Sequence, residues 1–178
     1  MVALGQTLLS SLSGTDRNSR LCNEVYEVAR DEMLASFDWA FARKRKAVPA
    51  SSETNLTEYD YMYTLPNDFL VMRSILDSEA FSETEEVWEV EGEYLLTDVS
   101  PCYIKYTSRL ENAAKYPALF CKSLGLNIAE RISENVTQNK GIWDRVAQKA
   151  AIALLEAKAT LAPESKSRPA ETGNWSEV

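Results

Sequence analysis

The chain is 178 residues long, 45% apolar and 26% charged, with a formal net charge of −8. It contains no histidine, which removes Ser-His-Asp and Cys-His nucleophile systems, HExxH zinc sites and most transition-metal chemistry. The acidic balance argues against sequence-independent DNA binding, which draws on Lys and Arg neutralising phosphates.

In chain order, residues 1–12 place Val2, Leu4, Leu8, Leu9 and Leu12 at helical spacing and predict a short helix. Ser13-Gly14-Thr15-Asp16 is a stop and a restart, with Thr15 or Asp16 as the cap. A broad apolar stripe through Leu21, Cys22, Val25, Ala29, Met33, Leu34 and Phe37 predicts a helix over 17–39, closed by the bulk of Trp39-Ala40-Phe41. The basic run Arg43, Lys44, Arg45 and Lys46 follows, either a contact for DNA or an acidic partner, or a solvated loop after the helix.

Between 48 and 109 the pattern shifts to period two, with Pro49, Pro66, Gly92 and Pro101 as punctuation. Tyr59, Tyr61 and Tyr63 alternate with polar neighbours on one strand face, so the helices should bury at least one of them. Val87-Trp88-Glu89-Val90 and Tyr94-Leu95-Leu96 flank Glu91-Gly92-Glu93 as a hairpin, and Tyr103-Ile104-Lys105-Tyr106 reads as another strand. Four or five short strands would form one small antiparallel sheet.

Helices return at Pro117, a good first-turn residue. Phe120, Leu124, Ile128 and Ile132 mark one face, and a short turn over 138–141 leads to a second helix. There Trp143, Val146, Ala150 and Leu154 should be buried against that face, as an antiparallel hairpin requires. From 163 onward the composition is disorder-prone, with Trp175 near the end as a partner anchor and Arg168 as a polar contact. The expected fold is therefore α+β but mainly α. An antiparallel helical bundle (1–47 and 113–162) carries a small inserted antiparallel β-subdomain (48–112) and an extended, flexible C-terminal tail (163–178).

Three scattered cysteines, Cys22, Cys102 and Cys121, point to free thiols in a reducing compartment. Among six glycines no phosphate-cradling motif occurs, so no cofactor is expected. No apolar run reaches the roughly 18 residues of a membrane span, and residues 1–12 lack a basic leader. The acidic stretch Glu83, Glu85, Glu86, Glu89, Glu91 and Glu93 could in principle supply a carboxylate pair for glycoside cleavage, but a solvated hairpin offers no apolar wall to raise a pKa.

Three blocks carry a family resemblance. Leu4-Gly5, Ser11-Leu12, Asn23, Tyr26, Arg30-Asp31, Leu34 and Trp39-Ala40-Phe41-Ala42-Arg43 form the first. Tyr61, Tyr63, Leu65-Pro66 and Asp68 form the second; Tyr106, Arg109, Tyr116-Pro117, Phe120 and Ala129 form the third. Their order over roughly residues 2–160 resembles the tail tubular protein A family, the head-to-tail adaptors of tailed bacteriophages. Phe37-Asp38 stands where many relatives carry His-Pro. The resemblance implies a non-enzymatic structural protein of the virion neck, made in the host cytoplasm. It would form a ring, usually twelvefold, beneath the portal protein and join it to a nozzle or other tail protein. Double-stranded DNA would pass through the lumen without sequence-specific binding, and an acidic surface suits that passage. The alternatives are a peptidoglycan-degrading tail hydrolase and a generic helical scaffold.

Overall fold

The computed structural model describes Leu4, residues 14–137 and residues 139–162. The expected tail, with Arg168 and Trp175, and nearly all of the expected first helix lie outside the described residues.

Helix α1 spans Arg17–Ala35, and Asp16 caps it by accepting from the backbone N–H groups of Asn18 and Ser19. It stops short of Trp39: the aromatic cluster belongs to a 3₁₀ turn at Ala40–Ala42 that redirects the chain into strand β1, Arg43–Ala47. Strands β2 (Tyr61–Thr64), β3 (Phe69–Leu76), β4 (Trp88–Glu91), β5 (Tyr94–Thr97) and β6 (Tyr103–Ser108) follow. Gly92, with φ 58°, makes the two-residue turn between β4 and β5, where a side chain would be strained. Helix α2 (Ala118–Val136) begins after Pro117, which has no N–H to leave unsatisfied. Helix α3 (Lys140–Leu161) is capped by the Asn139 side chain, which accepts from the Ile142 N–H.

The expected mainly α bundle with one small inserted sheet is not what forms. The protein is α+β, and among the described residues there are three α-helices and two three-stranded antiparallel sheets, ordered β1-β6-β3 and β2-β5-β4. Two strands escaped the period-two reading for opposite reasons. The basic run is β1, an edge strand whose Lys44, Arg45, Lys46 and Ala47 are all exposed, so it shows no apolar alternation. Strand β3, Phe-Leu-Val-Met-Arg-Ser-Ile-Leu, is a nearly continuous apolar run, because a strand covered on both faces has no polar face to alternate with.

The two sheets pack face to face through Ile104 and Tyr106 of β6, Met72 and Ile75 of β3, Tyr63 of β2 and Leu95 of β5. Tyr63 is thus buried by the opposite sheet and not by the helices, while Tyr61 is 41% exposed and Tyr59 precedes the strand. The helices share a second core: Ala29, Met33 and Leu34 of α1, Phe120 and Leu124 of α2, Ala157 and Leu161 of α3, and Trp39. A third cluster joins Leu4 and Cys22 to Ala129, Ile132 and Val146.

On α3 the buried line runs Val146, Ala150, Ala153, Ala157, Leu161. Trp143 and Leu154 are only half-buried, and Leu155 is 67% exposed. Small alanines let α3 lie close to its neighbours, so the larger side chains sit beside the contact line and not on it.

Candidate functional site

The residues of highest chemical interest meet where α1 ends against the first sheet. The last carbonyls of a helix have no partner within it. Here the carbonyls of Met33 and Ala35, and the two just past the helix, those of Ser36 and Phe37, find donors. Met33 O accepts from the Trp39 indole Nε1 (2.7 Å) and the Ser36 hydroxyl (2.9 Å). Arg73 of β3 donates through Nη2 to Ala35 O (3.0 Å) and Phe37 O (2.8 Å), and through Nε to the Thr107 hydroxyl (2.9 Å). Lys158 of α3 donates to Ser36 O (3.3 Å). Two cations therefore sit at the negative end of the α1 dipole. Arg73 can reach because a register shift between Met72 and Ser74 takes it out of the ladder, and a bulge re-aims its side chain.

Alongside lies an ionic cluster. Asp38 accepts from Arg43 through Nε (3.0 Å) and Nη2 (2.9 Å), and from Lys105 Nζ (2.9 Å). Lys105, whose side chain is 7% exposed, also bonds Glu83 at 2.8 Å. Burial works to raise the Asp38 carboxyl, but the bonds from Arg43 and Lys105 outweigh it and hold the group below its ordinary range. On the opposite face of the sheet Asp68 pairs with Lys44 and accepts from the Tyr106 hydroxyl (3.0 Å). There too burial pushes upward and the two donors prevail, so Asp68 is held low. Burial, with the Asp68 bond added, drives the Tyr106 phenol well above its ordinary range.

The basic run is consequently divided. Arg43 is half-buried and committed to Asp38, and Lys44 is committed to Asp68. Arg45 and Lys46 are exposed with no carboxylate partner among the described residues. Lys46 borders an open groove of about 330 Å³ lined also by Val48, Thr64, Pro66, Asn67 and Asp68. The groove's one carboxylate is the Asp68 already held by Lys44 and Tyr106. Of the acidic stretch, Glu83 is bound to Lys105, while Glu85, Glu86, Glu89, Glu91 and Glu93 are exposed around β4. Among the described residues no group of three or more His, Cys, Asp or Glu could hold a metal ion. No helix there is long and apolar enough to cross a membrane.

The residues that sequence reading passed over are Arg73, Lys105 and Asp38 as a unit. Each carried a faint signal: a lone cation inside an apolar strand run, or an acid just before an aromatic turn. A lone charge in such a run needs a buried partner, but only the fold says which.

Of the three sequence blocks that carry the family resemblance, the third touches both of the others. Asp31 of the first bonds Arg109 of the third at 2.8 Å. Trp39 and Phe41 pack edge-on against Phe120, with centroids 5.2 and 4.9 Å apart. Asp68 of the second bonds Tyr106 of the third. Comparison with protein-family models and with curated proteins finds no match for this chain.

Proposed function

We propose that this protein is a structural head-to-tail adaptor of a tailed bacteriophage. The observation that carries the reading is the junction itself. Residues of the first and third blocks that resemble the tail tubular protein A family meet at the seam where the helices join the first sheet, and the second block is tied to the third on the other face of that sheet. That seam locks the two layers into one stiff body through aromatic packing and charge-assisted hydrogen bonds. The outer faces are left for assembly. In this role copies of the chain form a ring below the portal protein. The ring links the portal to a nozzle or other tail protein in the virion neck, and DNA crosses its lumen. Rigidity serves such a joint, because a connector transmits position between two rings. The net charge of −8 keeps the passing DNA from adhering.

The test is reconstitution. Purified chain mixed with isolated portal rings should co-elute on gel filtration and add a ring of density to one face in negative stain. A peptidoglycan zymogram of the same protein should stay blank. A chain that never shifts with the portal, together with clearing lost on Glu89→Gln, would replace the adaptor by a hydrolase. A chain ending at Ala162, and Trp175→Ala in the full chain, report whether the residues beyond the described structure contribute to portal binding.

A further inference from the structure

Two sheets of three strands have four edges, and among the described residues the chain lies along one of them and across the end of another. Residues 49–51 lie along the outer edge of β2: Ala50 bridges Tyr63, the Ser51 N–H donates to Met62 O (2.8 Å), and the Thr64 N–H donates to Pro49 O (3.0 Å). Residues 83–84 cover the end of β3: Leu76 bridges Glu83, and the Thr84 N–H donates to Ile75 O (3.0 Å). The outer backbone edges of β1 and β4 have no such partner among the described residues.

These two open edges lie on opposite flanks. The chain leaves β1 at Ala47 and within a few residues runs along β2, so β1 and β2 share a flank. It leaves the edge of β3 at Thr84 and soon enters β4, so β3 and β4 share the other. The flanks also differ in charge. On β1, Lys44, Arg45 and Lys46 are exposed, and Arg45 and Lys46 lack an acidic partner among the described residues. On and beside β4, Glu85, Glu86, Glu89 and Glu91 are exposed with no ion pair among the described residues.

We infer that the basic edge β1 of one copy pairs with the acidic edge β4 of the next, making a continuous sheet across the joint between subunits. An open strand edge is a template for another strand, and opposite charges directly across a strand pair stabilise it. Pairing β1 with β1 sets cations against cations, and β4 with β4 sets acids against acids, so a two-fold dimer through either edge is selected against. The head-to-tail pairing of β1 with β4 is the one that sets opposite charges across the joint, and its repetition closes a ring or extends a filament. The inference rests on the ring reading above and names the joint within it.

Charge reversal tests it, because both edges are exposed. Arg45→Glu/Lys46→Glu carries acids on both flanks, and Glu89→Lys/Glu91→Lys carries bases on both. Each variant alone should associate at least about 10-fold more weakly than wild type in sedimentation velocity, with or without a portal ring as template. A one-to-one mixture should recover association to within about 3-fold of wild type, because the reversed edges now match. Backbone amides of 43–47 and 88–91 should exchange more slowly in the assembled state. Wild-type-like assembly by each variant alone overturns the edge pairing and leaves the ring reading standing. So does loss that mixing fails to rescue, or loss on ending the chain at Ala162 while the reversals do nothing. A wild-type chain that stays monomeric both alone and with the portal overturns both.

Discussion

Removing the Asp38 carboxylate is the sharpest probe of the seam. Asp38→Ala deletes the acceptor of Arg43, at 2.9 and 3.0 Å, and of Lys105, at 2.9 Å. A charge-assisted contact, counted once for each of the two cations, contributes about 1.5–3 kcal/mol, so losing both sets a gross cost of about 3–6 kcal/mol. Two features reduce it. The Asp38 side chain is 28% exposed, so water partly replaces it, and Lys105 keeps Glu83 at 2.8 Å. The expected loss is about 3 kcal/mol, which for a chain of this size lowers the melting temperature by about 6–12 °C. Urea unfolding at neutral pH measures it, with Lys44→Ala as the control. The pair of Lys44 with Asp68 is more exposed, and its loss should cost no more than about 1 kcal/mol. Combining Asp38→Ala with Lys105→Met should show a coupling of at least about 1 kcal/mol, because the second change removes the cation that the first left with a single partner. Equal costs for Asp38→Ala and Lys44→Ala, or additivity within about 0.5 kcal/mol in the double variant, would refute the reasoning.

Core substitutions should separate the contact line of α3 from its margins. Phe120→Ala, at a fully buried site packed by Trp39, Phe41 and Tyr116, should cost about 3–5 kcal/mol in urea unfolding, and half-buried Leu154→Ala distinctly less. Acid should weaken the protein through Asp38 and Asp68. Both are held below the ordinary value of 3.8 in the fold, so their contribution is full above about pH 4 and falls away as pH drops through the folded values. Asp38→Asn should flatten that acid limb of a pH-dependent melting series, and an unchanged limb would remove Asp38 from it. Under native conditions a thiol reagent should modify exposed Cys121 quickly. Buried Cys22 and Cys102 should react only on unfolding, since burial also pushes Cys102 up to about 11. Three fast thiols would contradict the burial.

The helices were legible because their signals are local. Asp16 at a restart, Pro117 before an apolar period and the short link over 138–141 mark their own elements without reference to the rest of the chain. The hairpin at Gly92 was legible for the same reason. Strands β1 and β3 were not, because their identity depends on what lies beside and above them. Arg43-Lys44-Arg45-Lys46 becomes a strand only because β6 offers it a ladder, register Arg43 to Thr107 through Ala47 to Tyr103. The ionic seam was hidden on the same ground: Asp38 and Lys105 are far apart in sequence and lie 2.9 Å apart in space. Sequence reading also placed the heavy residues Trp143 and Leu154 on the buried line of α3, where alanine provides the close approach.

The bulge at Arg73 also decides how the molecule comes apart. Its guanidinium is held by two carbonyls at the end of α1 and by a hydroxyl on β6, so neither layer is complete alone. Melting the last turn of α1 leaves Arg73 without its carbonyl acceptors beside a buried face, and opening the first sheet strips the helix end of its donor. Local opening in either layer thus raises the free energy of the other until both yield together. Amides in the last turn of α1 and in β3 then exchange from one shared opening and not from two independent ones, and the chain unfolds as a single unit across its α/β boundary.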